Sequence, residues 1–263
     1  MLTRICVVAA VTILGASGIT SASNIYFEQD FESLTPGTIN GQAGWTSTAT
    51  AEVQSTVANP GQAVQMNNAS TATRLGIFGS THAKQRLQFD IMVPFTINEV
   101  PFEYSADIQH EVLLRGPNVN QQMFFVYKGG KNENQAAPSA PSPFNCFSFR
   151  GAATQNSTFA PQAGVWYTVV IDFDFAASTF DGKIYQGSTL LWDPLGNQNF
   201  INNGNTNYFG LTADGTYDFS FVGVGDLANL EFNVDNIVVY IPEPAAALVA
   251  APLGMLLLRR PRV

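Results

Sequence analysis

Three carboxylates stand at alternate positions near the start of the chain, Glu28, Asp30 and Glu32, in the run Glu-Gln-Asp-Phe-Glu. On a β-strand the period of two puts all three on one face. A pair of such groups ~5–5.5 Å apart is what retaining glycoside hydrolysis needs, one as nucleophile and one as proton donor. The donor must keep its proton near neutral pH, which takes burial in a groove. A second run, Asp107-Ile108-Gln109-His110-Glu111, has glutamine where a central acid is wanted. Thiol chemistry has less to draw on. Cys146 lies in Phe144-Asn145-Cys146-Phe147-Ser148-Phe149, the setting of a small buried hydrophobe, and the only histidines to activate it are His82 and His110.

The elements that must position these residues read as strands. Leu87, Phe89, Ile91 and Val93 alternate with Arg86, Gln88, Asp90 and Met92, the pattern of a half-buried strand. Residues 106–115 alternate again, with Ala106, Ile108, His110, Val112 and Leu114 on one face. Segments 121–128, 144–150, 165–175, 180–186, 217–224 and 230–240 are rich in Phe, Tyr, Val and Ile, and Gly and Asn punctuate the gaps. No stretch of the body keeps a 3.6-residue period long enough for a helix. The expected architecture is all-β: two packed antiparallel sheets in a β-sandwich of jelly-roll type, with residues 132–143 as a surface loop.

Both ends of the chain carry a different pattern. Residues 1–23 read as a secretory signal peptide: Arg4 supplies the positive start, Ile5 to Leu14 the apolar run, and Thr20-Ser21-Ala22 the small-residue cleavage site. At the other end Pro242-Glu243-Pro244 precedes an apolar run, Ala245 to Leu258, and Arg259, Arg260 and Arg262 follow it. Its 14 residues would make a helix of about 21 Å, short of a ~30 Å hydrocarbon core. The arginines mark a cytoplasmic end, which places the folded body across the membrane. Between the ends lies one body, residues 24–241.

That body holds eight basic and nineteen acidic residues, a formal charge of −11. Such a balance argues against a nucleic-acid partner, which needs a basic patch to neutralise phosphates. Its 21 Asn and 15 Gln keep the surface polar through amides, which can hydrogen-bond neutral sugars and help hold hard cations. Cys146 is the one cysteine left once Cys6 leaves with the signal peptide, so no disulfide can form within the body. Of the tryptophans, Trp45 and Trp166 read as packing residues. Trp192, before Asp193-Pro194, could stand at a strand end and stack on a sugar ring, with packing as the other reading.

The three-part tail resembles the PEP-CTERM sorting signal of exopolysaccharide-producing Gram-negative bacteria. The resemblance implies sorting by an exosortase-type membrane protease, with Pro242, Glu243, Pro244, Arg259 and Arg260 as the motif. It also implies transient inner-membrane association and a final location at the cell surface or in the extracellular matrix. The body carries a second resemblance. Phe31-Glu32 leading to Gly41-Gln42-Ala43-Gly44-Trp45, then Gly61-Gln62-Ala63-Val64-Gln65-Met66, is similar to the opening of concanavalin A-like (LamG-type) jelly rolls. Val165-Trp166-Tyr167-Thr168-Val169 resembles their central strand and Val234-Asp235-Asn236-Ile237-Val238-Val239-Tyr240 their closing one. The galactose-binding-like jelly roll of carbohydrate-binding modules also opens on Phe-Glu and closes on an Asp strand.

In jelly rolls of both kinds the first and last strands often lie close together, and a structural Ca²⁺ frequently bridges that region. The resemblance implies Asp235 as a metal ligand, with Glu32 or Asp30 and backbone carbonyls as others. Glu28-Gln29-Asp30-Phe31-Glu32 also resembles the catalytic pattern of family 16 glycoside hydrolases. There, however, the catalytic strand lies mid-domain, and an aliphatic residue is preferred where Gln29 stands. The expected function is therefore a non-catalytic exported surface or matrix protein that binds exopolysaccharide or other glycans. A glycoside hydrolase or lyase and a purely structural envelope protein are the alternatives.

Overall fold

A computed structural model of the chain describes residues 23–48, 51–57, 59–66, 70–78, 82–93, 108–115, 121–129, 145–151, 153–194, 196, 198–199, 217–224 and 232–242. Residues 1–22 and 243–263 lie outside them, and with them Glu243, Pro244, Arg259 and Arg260 of the expected sorting motif. The 132–143 loop and Asp107 also lie outside, as do the side chains of His110 and Glu111. No helix among the described residues is long and apolar enough to cross a membrane.

Among the described residues, alternating side chains build seventeen strands. The first seven are β1 (Ser23–Gln29), β2 (Gly37–Thr38), β3 (Trp45–Ser47), β4 (Ala51–Gln54), β5 (Ala63–Met66), β6 (Thr71–Phe78) and β7 (Lys84–Met92). The next five are β8 (Ile108–Arg115), β9 (Gln121–Gly129), β10 (Asn145–Arg150), β11 (Thr154–Asn156) and β12 (Trp166–Asp174). The last five are β13 (Thr179–Gln186), β14 (Thr189–Trp192), β15 (Gln198–Asn199), β16 (Tyr217–Val224) and β17 (Phe232–Pro242). They pair antiparallel into two sheets. The larger runs β14-β13-β12-β7-β17-β5-β4-β2, with β1 on β17 and β15 on β13; the smaller runs β11-β10-β9-β8-β16-β6-β3. The all-β, antiparallel expectation holds, and the long strands fall where the alternating runs are.

The core between the sheets is largely aromatic. Phe89 of β7 meets Phe125 of β9 and Phe221 of β16 edge-on, both at 5.6 Å between ring centres, a geometry that sets the positive ring edge against the negative face. A bulge in β9, where the pairing steps from Val112–Phe125 to Leu113–Met123, inserts Phe124 as the extra residue of that strand. Phe124 and Phe125 are consequently both buried, and Phe124 packs at 4.7 Å on Phe173. Gly182 of β13 serves the same core. A Cβ there would come within 2.5 Å of the Phe149 ring, so the absence of a side chain is what admits the ring.

Two features of β17 place the candidate site. Its C-terminal half pairs with β1 from Gln29↔Ile237 to Ser23↔Pro242, so the paired strands reach one residue beyond each expected boundary of the body. Its N-terminal half pairs with β5 on that same side, Val234↔Val64 to Phe232↔Met66. The change of partner falls at Asp235 and Asn236, where the pairing with β7 also slips. Asn236 takes φ 50°, a left-handed conformation that asparagine tolerates better than most residues.

Candidate functional site

The inward phase of β7, β12 and β13 is core, so the opposite phase faces outward from the larger sheet. The register lays these outward residues in rows. Lys84, Asp174 and Thr179 form the first, and Arg86, Asp172 and Asp181 the second, with Tyr240 of β17 beside Arg86. Gln88, Val170 and Lys183 form the third, beside Val238, and Asp90, Thr168 and Tyr185 the fourth, beside Asp235. An open groove of about 380 Å³ runs over the middle rows, lined by Arg86, Gln88, Thr168, Val170, Lys183 and Tyr185. That is within the ~300–1,000 Å³ range of small-ligand sites. A second hollow of about 200 Å³ adjoins it along the strands, with Lys84, Asp172, Asp174 and Thr179 in its wall.

The cations of this face are paired. Arg86 binds Asp172 with two parallel hydrogen bonds, Nε–Oδ1 at 2.6 Å and Nη2–Oδ2 at 2.8 Å. Lys84 lies 3.1 Å from Asp174, and Lys183 2.9 Å from Asp181. The Asp172 hydrogen bond holds the Arg86 guanidinium above its ordinary pKa, with Tyr185 and Tyr240 adding to the effect. Lys183 is raised by Asp181 first, then by the fields of Asp193 and Asp172. Asp174 is lowered, chiefly by the Ala177 N–H and then by Lys84. Val170 makes an apolar floor between these polar walls.

At its far end the groove is tied to a buried polar clasp. The Thr168 hydroxyl donates to Asp90 Oδ1 at 2.6 Å, and Asn236 Nδ2 donates to Asp90 Oδ2 at 2.9 Å. Asn59 Nδ2 donates to that same Oδ2 at 2.9 Å, while its backbone N–H donates to Asp235 Oδ2 at 3.2 Å. Asn236 Nδ2 also reaches the Asn59 carbonyl at 2.9 Å, and the Asn236 N–H reaches Asp235 Oδ1 at 2.7 Å. Asp235 is fully buried. Burial pushes its carboxyl up to about 7; the Asn236 and Asn59 N–H groups oppose the shift, and the charges of Asp90 and Glu32 add to it.

Of the residues expected to bind metal, Asp235 and Glu32 each accept a backbone N–H from one short segment, Asn59 to Gln62. Glu32 Oε1 accepts the Gln62 N–H at 2.8 Å. Gln62 Nε2 in turn donates to the carbonyls of Phe31 at 3.3 Å, Glu32 at 2.9 Å and Leu34 at 3.2 Å. Gln62 Oε1 is buried and has no hydrogen-bond donor. Asp30 serves the turn, accepting the Glu32 N–H at 3.2 Å. Among the described residues no group of three or more Asp, Glu, His or Cys side chains stands together as a metal site would need.

The shared face expected for Glu28, Asp30 and Glu32 does not form. β1 ends at Gln29, and Phe31 turns the chain with φ 62°. That turn buries the Phe31 ring against Trp45 at 6.0 Å and leaves all three carboxylates exposed. Trp192 is a packing residue, stacked on Phe149 at 5.1 Å. Trp166 departs from the packing expectation: it lies on the outward phase of β12, half-buried, two positions from Thr168. Cys146 is buried. Asp90, Asn59 and the groove residues were not singled out in the sequence. The signal for the groove was there, in the Arg, Gln, Thr, Lys and Tyr at the outward positions of three alternating strands.

No protein-family model matches the sequence, and no curated protein matches it. Solved structures do. A basic winged bean lectin with Tn-antigen aligns at TM-score 0.51 and 11% identity, over 83% of this chain and 98% of the lectin. The lectin UEA-II complexed with galactose aligns at TM-score 0.50 and 12% identity, over 82% of this chain and 98% of that one. The likeness is one of fold: the chain has the two-sheet jelly-roll architecture of these lectins.

Proposed function

We propose that this is an exported, non-catalytic surface or matrix protein whose β-sandwich binds glycans in the outward groove of the larger sheet. The observation that carries the reading is the groove itself. It offers amide and cationic donors (Gln88, Arg86, Lys183) and the Thr168 hydroxyl oxygen as an acceptor, around a Val170 floor and a Tyr185 wall. Sugar rings present apolar faces and many hydroxyls, which such a mixture matches. Lectins of the same fold solved with Tn-antigen and with galactose agree with it. A hydrolase reading is weaker, because Glu28, Asp30 and Glu32 are exposed and do not line this groove. Retardation of the purified protein in native gels cast with a panel of polysaccharides tests the proposal. Mobility unchanged by every polysaccharide would count against it.

Export and sorting rest on the two ends of the sequence. The exosortase-type protease would read Pro242-Glu243-Pro244, and the apolar run with Arg259 and Arg260 would hold the chain transiently at the inner membrane. Truncation after Pro242, which spares the pairing of β17 with β1, should leave a folded protein no longer retained at the cell surface. Unchanged retention in a host that sorts such proteins would contradict this.

Calcium belongs to the same proposal, as a structural ion. Asp235 and Glu32 would hold it, with the donorless Gln62 Oε1 as a third oxygen and backbone carbonyls towards the six to eight that calcium takes. A bound cation would offset the mutual repulsion of Asp235, Asp90 and Glu32 and pin the opening turn to the closing strand. Asp30 would stay in the turn.

A further inference from the structure

The charge arrangement of the groove says which glycans it takes, provided that the groove is the glycan site proposed above. We infer that it accepts uncharged glycan chains and turns acidic ones away. Each cation lining it already holds a carboxylate of the same sheet face: Arg86 holds Asp172 through both oxygens, and Lys183 holds Asp181. Lys84, at the adjoining hollow, holds Asp174. A uronic acid or sulfate entering here would have to displace one of these partners. It would exchange one charge-assisted hydrogen bond for another, gain nothing, and leave an aspartate unpaired beside it. Asp193 acts on Lys183 as well, so the local balance leans negative. A neutral hydroxyl meets no such obstacle. It can accept from the remaining N–H donors of Lys183 and Gln88, and donate to the Thr168 hydroxyl oxygen and to the aspartate oxygens.

The rows also set the length of the ligand. From Lys84 to Gln88 along β7 is four residues, about 13 Å at ~3.3 Å each, and hollows lie at both ends. The Arg86–Asp172 pair stands between them. A chain of several sugars would lie across that pair, whereas a single sugar would fill one hollow only.

The test uses the purified full chain in native gels containing neutral polysaccharides (dextran, laminarin, galactomannan) or acidic ones (alginate, hyaluronate). At least one neutral polysaccharide should retard the wild type, and neither acidic one should. Asp172→Asn frees Arg86 and should produce salt-sensitive retardation by an acidic chain, severalfold above wild type, while Tyr185→Ala weakens the neutral binding. Thermal melting confirms that both variants are folded. Wild-type binding to alginate or hyaluronate that Tyr185→Ala weakens would overturn the preference and leave the glycan reading standing. An Asp172→Asn variant as indifferent to acidic chains as wild type would also overturn it. Binding to none of the five would remove the glycan reading and the preference together.

Discussion

Asp235 and Asp90 stand directly opposite one another on adjacent strands, and one asparagine, Asn59, donates to both. Like charges in that position repel, so the pairing persists only because amides and a hydroxyl surround it. It lies where the last strand changes partner, and Thr168 extends it into the groove. The groove is thus fixed at one end by the same contacts that close the sandwich.

Asn236 is the residue on which this arrangement turns. Asn236→Gly keeps the left-handed backbone accessible and removes the hydrogen bonds to Asp90 and the Asn59 carbonyl. Losing a charge-assisted bond and a neutral one should cost about 2–3 kcal/mol. Asn236→Ala should cost roughly 1 kcal/mol more, because alanine resists positive φ. For a domain of this size the glycine variant should melt roughly 4–12 °C below wild type. Equal melting of wild type and both variants would show that the clasp contributes nothing.

Calcium should raise the melting temperature of the wild type, and chelation should reverse the rise. A ligand at a hundredfold excess over its Kd, binding only the folded state, adds about 2.7 kcal/mol. Asp235→Asn should melt alike with calcium and with chelator. A wild type indifferent to both, with no metal found on analysis, would leave the clasp to its amides alone.

Glycan hydrolysis should be absent. Glu28, Asp30 and Glu32 are exposed around a turn, without the common strand face that a nucleophile and donor would share. Reducing-sugar release from laminarin, lichenan and agar should stay at background, as it should for Glu28→Gln and Glu32→Gln. Release that both substitutions abolish would make the protein a glycosidase.

Local pattern made much of the fold legible. The alternation of Leu87, Phe89 and Ile91, and of Tyr167, Val169 and Ile171, marks β7 and β12 because burial on one face leaves a period of two. What stayed hidden is pairing across distance. Arg86 and Asp172 meet only because β7 lies beside β12 in one register, and nothing local fixes that register. Asp90 reads as an outward polar residue of its strand, yet Asn59, Thr168 and Asn236 close over it. Asp235 and Glu32 came from resemblance to jelly-roll openings and closings; each accepts a backbone N–H of the 59–62 segment, from Asn59 and Gln62. The carboxylate run failed for a local reason, the left-handed turn at Phe31, which alternation alone does not announce.

The central claim is that glycans bind the outward face of the larger sheet. The most direct measurement is a two-dimensional NMR titration of the ¹⁵N-labelled protein with a fragment of whichever neutral polysaccharide retards it most. The account predicts amide shifts clustered at Gln88, Thr168, Lys183 and Tyr185, on β7, β12 and β13. Shifts confined to β6, β8 and β16 of the smaller sheet would contradict it.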